Sequence, residues 1–395
     1  MNNIKSYLKN IDVFNPLIIV FAIFLFVLIA LPTWYITTEL HTPEIPMYFF
    51  ILFGLVLFIL GTLIPNILYK FKNSFKNKID NFKLKPKKNL EKLPFFGNYS
   101  QMELLLLFIV ILGIVLQIIN LISLGGIPLF SSYLKTKAAT KIWLISYIIY
   151  LPGINLLLAK FNRKSHYLLL ILGLFLFVLT GYRTTPIAIL LSTFITLYYT
   201  RNFETKHQLI FILVIIILFI LIGFIAIKSI STQHWRIGPL ELVSYRAGFT
   251  LNIFDKVTRR EFLTHGNLFY STLSGFFNSV DPRVLVGQAV LNENHSITST
   301  IFGPATLDFG IMGMGIQMFL LGLILKFLYI IQKYKKDIFT AFYAVILAQT
   351  LIWIETGPTD LVVWIFYAIC ILLIFIGFYK INFFNEEDKC QIKKS

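Results

Sequence analysis

Of the eight arginines in this chain, six, Arg183, Arg236, Arg246, Arg259, Arg260 and Arg283, lie on the side read below as external, whereas only five of the 27 lysines do. A guanidinium is planar, keeps its charge and grips phosphate or carboxylate oxygens with two prongs, while lysine is a mobile point charge. The bias points to a phosphate or carboxylate ligand. The competing reading is that lysine fills the undemanding positions and arginine stays where packing wants it. Arg183 is set between two apolar runs, where a charge is costly unless it is used.

The same region holds candidates for moving a proton. His295 stands among hydroxyls, in the run ending Thr298-Ser-Thr300, near Asp281, Glu293 and Asp308. Its ordinary pKa near neutrality suits a general base; a lone loop histidine is otherwise a surface or capping residue. Asp308 is the second candidate, with a helix cap near Ile311 as its alternative role. Glu241, Asp255 and Glu261 are expected to pair with Arg246, Arg259 or Arg260. Glu355 and Asp360 flank the turn Thr356-Gly-Pro-Thr359, as interface residues or as a second wall of the same site. The histidines and acids have no metal-ligand spacing, so neither a metal nor another cofactor is expected. Cys370 and Cys390 do not form a pair. No phosphate-binding loop, HExxH, GxSxG or dinucleotide fingerprint is present.

What must hold these residues is a membrane bundle. The chain is 57% hydrophobic and 14% charged, against about 25% charged in a soluble domain. Its apolar residues fall in blocks at 17–35, 47–68, 104–124, 142–159, 209–227, 311–331, 338–354 and 361–379. A crossing needs roughly 20 such residues, and in lipid the backbone must bond to itself, so each block is predicted helical. The run from Tyr167 to Thr200 would make a helix of about 50 Å, too long for one crossing. Gly181 and Pro186 break it, giving two short spans with Arg183 at the turn.

The expected fold is therefore all-α: a bundle of about ten transmembrane helices with one large external loop. With cytoplasmic termini, the inside segments hold 24 of the 35 Lys and Arg, as the positive-inside rule requires. The chain divides into residues 1–228, seven spans with a basic cytoplasmic loop at 70–100; residues 229–309, the external loop; and residues 310–395, three spans and a cytoplasmic tail. The formal charge of +16 then reflects topology and an anionic inner leaflet, not nucleic acid. The location expected is the plasma membrane.

A loop of ~80 residues in a compact protein is usually functional. Pro239 to His265 reads as a surface helix, with Leu240, Val243, Ala247, Leu251 and Phe254 at spacings of three and four and Gly266 as its stop. A second helix is predicted to begin after Asp281, with Pro282 in its first turn. Between them, the stretch containing Phe276 and Phe277 is apolar enough to enter the interface.

The order of three motifs resembles the oligosaccharide repeat-unit polymerases, also called O-antigen polymerases. These are Gly125-Gly-Ile-Pro-Leu-Phe130 after a span, Gly181-Tyr-Arg-Thr-Thr-Pro186 between two short spans, and Thr298-Ser-Thr300 leading to Asp308-Phe-Gly310 and Gly313. The resemblance covers most of the chain. It implies a polytopic glycosyltransferase of the C type that joins lipid-diphosphate-linked oligosaccharides on the outer membrane face. Donor and acceptor would both be glycans on polyprenyl diphosphate. Arg183 and Arg246, supported by Arg259, Arg260 or Arg283, would hold the diphosphate leaving group in place of a metal. His295, or else Asp308, would deprotonate the acceptor hydroxyl, and direct displacement would invert the anomeric centre. Phe276 and Phe277 would cover the entrance for the lipid tail. An O-antigen-type ligase and a lipid-linked oligosaccharide flippase are the alternatives. The spans are nearly free of charge and show no two-fold repeat, which disfavours a transporter.

Overall fold

The structure, a computed structural model, describes residues 12–36, 40–74, 99–161, 163–201, 239–260, 263–277, 280–334 and 336–392. Among these residues the repeating structure is helical, as expected. The helices are α1 (Ile18–Ala30), α2 (Thr33–Ile36), α3 (Ile45–Ser74), α4 (Gln101–Ser123), α5 (Ser132–Lys137), α6 (Lys141–Lys160), α7 (Lys164–Val178) and α8 (Thr184–Thr200). After a gap in the described residues come α9 (Pro239–Thr258), α10 (Asn267–Leu273), α11 (Pro282–Leu291), α12 (Gly303–Tyr334), α13 (Ile338–Thr356) and α14 (Leu361–Ile392).

Six helical segments are long and apolar enough to cross a bilayer: Ile18–Tyr35, Ile45–Ile67, Gln101–Ser123, Lys141–Lys160, Gly303–Lys333 and Ile338–Thr356. Shorter apolar helices include Lys164–Val178, Thr184–Thr200 and Leu361–Ile376. Large apolar side chains stay exposed on their outer faces, as Leu105, Phe108 and Ile122 do on α4. A continuous apolar exterior of this kind is stable against lipid, not water. The chain is a multi-pass membrane protein. The predicted span Leu209–Ile227 lies outside the described residues, as does most of the basic loop.

Local chemistry sets the helix ends. The Ser100 and Thr140 side chains accept from the N–H groups of Glu103 and Trp143, capping α4 and α6. Between α7 and α8, Gly181 adopts φ +75°, a conformation that favours glycine. The run from Tyr167 to Thr200 is thus two helices with Arg183 at their turn.

Contacts at the helix ends fix the directions. At one end, Glu103 at the start of α4 meets Arg163 (Nε to Oε1, 2.7 Å) just before α7. Arg201, after α8, donates to the Leu158 carbonyl near the end of α6 at 3.2 Å. Asp12 also lies at this end, accepting from Tyr199 of α8 at 2.9 Å and Tyr329 of α12 at 2.7 Å. At the other end, Thr140 donates to Asn120 at 2.6 Å, and the Leu129 N–H reaches the Leu179 carbonyl at 2.9 Å. So α4 and α7 run parallel, and α6 and α8 run against them. Arg183 and the end of α13 lie at this second end.

Close backbone approach welds α3 to α12. A Cβ on Gly61 would stand 2.2 Å from the Phe319 carbonyl oxygen, and one on Gly322 would stand 2.3 Å from that of Phe58. Small residues at such crossings let membrane helices pack where no hydrophobic force drives them together.

The segment expected to be an external loop differs from the sequence expectation in three ways. α9 ends at Thr258, not His265, and His265 itself has φ +50°. It is not a surface helix: Ala247, Leu251, Ile253, Phe254 and Val257 are buried, and Ser244 donates to the Ile29 carbonyl at 2.7 Å. Gly266 precedes α10 instead of stopping α9. Asp281 does cap α11, accepting from the Arg283 N–H. α12 begins at Gly303 and is broken at Gly310, where φ +69° and ψ −164° interrupt the helix.

Candidate functional site

A cavity of about 540 Å³ opens at the Arg183 end of the bundle. Part of its lining is apolar, formed by Leu25, Phe26 and Ile29 of α1, Ile187 and Leu191 of α8, Leu242 and Val243 of α9, and Leu351 and Ile352 of α13. The same lining is charged elsewhere, carrying Lys135, Arg183, Arg246, Arg283 and Glu355 beside Tyr182 and Thr298.

Each charged group comes from a different element. Arg183 caps the start of α8 through its backbone position and makes no ion pair among the described residues. Burial, and after it the charge of Arg246, pulls its pKa down to about 10, while Glu355 pulls the other way. Lys135, on α5, is half-buried and has no hydrogen bond or ion pair to its ammonium among the described residues. Burial lowers its pKa first, then the charges of Arg183 and Arg246. Two unpaired cations held together in a partly dry recess need an anion.

Arg246, on α9, is already partnered: Nε and Nη2 each lie 3.1 Å from Glu355 Oε1. Arg283, on α11, donates from Nε to Asp281 at 3.2 Å. Burial works to lower its pKa, but Asp360 and then Asp281 outweigh that and hold it above the ordinary range. Burial in turn raises the Asp360 pKa, against the pull of Arg283.

The motifs singled out in the sequence meet here. The Leu129–Leu179 bond ties the first to the second, and the Tyr182 hydroxyl donates to the Lys135 carbonyl at 3.0 Å. A Cβ on Gly181 would touch the Leu129 backbone at 3.3 Å. From the third, Thr298 lines the cavity and Thr300 abuts the turn after Glu355, its carbonyl oxygen 2.8 Å from where a Gly357 Cβ would sit.

The structure brings together Arg183, Arg246 and Arg283 from the sequence candidates. The others lie apart from the cavity lining. Arg259 lies just past the end of α9, bound to Asp255 and, at 2.7 Å, to Glu44. Arg260 is exposed beyond the end of α9. His295 is exposed in the loop after α11, its carbonyl oxygen lying 2.3 Å from where a Cβ on Gly287 would sit. Asp308 is buried and caps α10, not a helix at Ile311: it accepts from the N–H groups of Leu268 at 3.1 Å and Phe269 at 2.7 Å, and from the Thr264 hydroxyl. Phe277 is exposed, and Phe276 lies under Lys141 at the start of α6. Arg236 and Glu261 lie outside the described residues.

Lys135 was hidden in the sequence among 27 lysines; its one signal is its place five residues after Phe130 of the first motif. Tyr182 and Thr298 were inside quoted motifs without an assigned role. Glu355 was legible as an acid at a tight turn, and the cavity places it in the site.

The chain is similar to known proteins. An uncharacterized protein of Methanocaldococcus jannaschii, MJ0420, is 27% identical over 387 residues, covering 90% of this chain and 92% of its own. A second from that organism, MJ0419, is 24% identical over 271 residues, covering 68% of this chain and 75% of its own. No solved structure matches. The family model described as "Putative O-antigen polymerase" matches residues 12–367, which includes every cavity residue and all three motifs, and the chain belongs to that family.

Proposed function

We propose that this protein is a glycosyltransferase that polymerises oligosaccharide repeat units carried on polyprenyl diphosphate. One observation carries the reading: Lys135, Arg183, Arg246 and Arg283 line one cavity together with apolar side chains of α1, α8, α9 and α13. That combination suits a ligand with a diphosphate head and a hydrocarbon tail. As the donor's glycosidic bond breaks, negative charge grows on the diphosphate. Preorganised cations in a water-poor site stabilise it there, the part that a metal plays elsewhere. Displacement by an acceptor hydroxyl would invert the anomeric centre.

The topology supports an external site. The chain leaves the described residues at Arg201, at the Asp12 end, and returns at Pro239, at the Arg183 end. One crossing within 202–238 would make ten, with both termini cytoplasmic and the cavity on the outer face.

The test is a deletion strain whose lipid-linked glycans and surface polysaccharide are both sized. Accumulated single repeat units with loss of long polymer are expected. Long polymer still on its lipid carrier would make the protein a ligase. Repeat units trapped on the cytoplasmic face would make it a flippase, and unchanged pools would reject glycan assembly.

A further inference from the structure

Glycosyl transfer needs a proton acceptor beside the acceptor hydroxyl. Of the candidates from the sequence, His295 is exposed outside the cavity lining and Asp308 spends both oxygens on α10. Among the described residues that line the cavity, Glu355 is the only carboxylate.

Its position is unusual for a structural ion pair. It occupies the last turn of α13, where the helix dipole disfavours negative charge. The turn that follows is pinned: Gly357 has φ +76°, and a Cβ there would collide with the Thr300 carbonyl and with Pro304. The end of α13 is therefore held in place beside the cavity, with Glu355 in its lining. Both donors from Arg246 go to Oε1, and no described residue hydrogen-bonds Oε2. One oxygen is tied to the cation cluster, and the other is free to face a substrate.

We propose that Glu355 accepts the proton of the acceptor hydroxyl, and that Arg246 occupies it until a donor diphosphate takes the guanidinium. This rests on the lipid-diphosphate reading above. The diphosphate carries more negative charge than one carboxylate and meets Lys135 and Arg183 as well, so it displaces Glu355 from Arg246. The acceptor O–H proton passes to Glu355. The acceptor oxygen bonds to the donor's anomeric carbon, and the bond from that carbon to the diphosphate oxygen breaks. Its electron pair leaves with the polyprenyl diphosphate, held by the cations, and Glu355 later returns its proton to water. A carboxylate that serves first as the site's own counter-ion keeps the base paired while no donor is present.

The experiment uses the full chain in nanodiscs. Inorganic pyrophosphate and farnesyl diphosphate are the binding probes, and lipid-linked repeat units extracted from the deletion strain are the substrate for turnover. Glu355→Gln is expected to bind pyrophosphate as tightly as the native protein or up to about tenfold tighter, because a competing counter-ion is gone, yet to polymerise at least ~100-fold more slowly. Glu355→Asp, with the carboxylate withdrawn by one methylene, is expected to keep binding and fall between the two in rate. Glu355→Gln turning over within about threefold of the native protein would overturn the proposal, since a lost general base costs ~100-fold or more. So would weakened pyrophosphate binding, which would make Glu355 a mere support for Arg246. If Glu355→Gln does not reach the membrane, Glu355→Asp decides, and a native rate in that variant would overturn it. Failure of the native protein to bind either probe, with Arg183→Ala still fully active, would instead remove the lipid-diphosphate reading itself.

Discussion

Arg246 and Glu355 face each other in the cavity lining, with Nε and Nη2 of the arginine both 3.1 Å from a single carboxylate oxygen. This bond joins α9 to the last turn of α13. It is also a partial neutralisation: one anion serves a cavity that gathers four cations. Arg283 has Asp281 and Asp360 nearby, but Lys135 and Arg183 have no such partner among the described residues. The surplus positive charge shares the cavity with apolar side chains, which fits the anionic lipid ligand proposed above.

Arg183 should therefore trade stability for binding. Its guanidinium is half-buried, unpaired among the described residues and beside another cation. Arg183→Ala is expected to leave the melting temperature in detergent unchanged or slightly raised. Pyrophosphate affinity should fall about 10- to 100-fold, the worth of a charge-assisted hydrogen bond in a partly dry site. A marked loss of thermal stability would show that the side chain is structural.

Asp308 should behave in the opposite way. Its carboxylate holds the first turn of α10 through the Leu268 and Phe269 N–H groups. Asp308→Ala removes a cap and leaves buried donors unsatisfied, at a cost of about 1–3 kcal/mol. Less protein in the membrane and a lower melting temperature are expected, with normal turnover per folded molecule. His295→Ala, on an exposed loop, is expected to change neither. Loss of polymer at normal protein levels in that variant would return the proton-acceptor role to His295.

The sequence carried the chemistry more clearly than the geometry. Gly181 and Pro186 break an overlong apolar run, so the two helices meeting at Arg183 were legible. The arginine bias was legible as a type of chemistry, but Arg246 and Arg259 fall in one predicted helix and look alike in sequence. Their partners separate them: Arg259 is consumed by Asp255, a local partner expected from the sequence, and by Glu44, which only the fold brings near. Asp308 read as a base or a local cap because the helix it caps starts forty residues earlier. α9 read as a surface helix because one apolar face is obvious, whereas Ile253 and the small Gly248 pack on other sides. Lysine is too common here for Lys135 to stand out before α5 is placed beside Tyr182.

The α3–α12 crossing should be intolerant of side-chain volume. Gly322→Leu would push a side chain into the Phe58 backbone, only 2.3 Å from the position of its Cβ. Backbone cannot yield as a flexible side chain can, and overpacking of a tight interface typically costs 1–3 kcal/mol or more. Strong loss of folded protein in the membrane is expected, measured by detergent-resistant monodispersity. Gly125→Ala, which meets no neighbouring atom within 4 Å, carries only the strain of φ +69° and should be far milder.

Lys135 gives the site an alkaline limit. In the free protein, burial and the charges of Arg183 and Arg246 hold its pKa below 10.5. It therefore sheds its proton earlier than an exposed lysine would. A bound diphosphate favours the charged form and raises that pKa, so binding takes up a proton once the free ammonium has begun to titrate. The sign follows: affinity is full at lower pH, where Lys135 is charged in both states, and declines as pH rises through its lowered value. Titrating pyrophosphate binding from pH 7 upward should show the fall beginning below pH 10.5. Lys135→Arg should move this limb to higher pH, because guanidinium holds its proton more strongly. Lys135→Ala should weaken binding at neutral pH and remove that limb. An affinity that stays flat to pH 10.5 in the native protein would place Lys135 away from the bound anion.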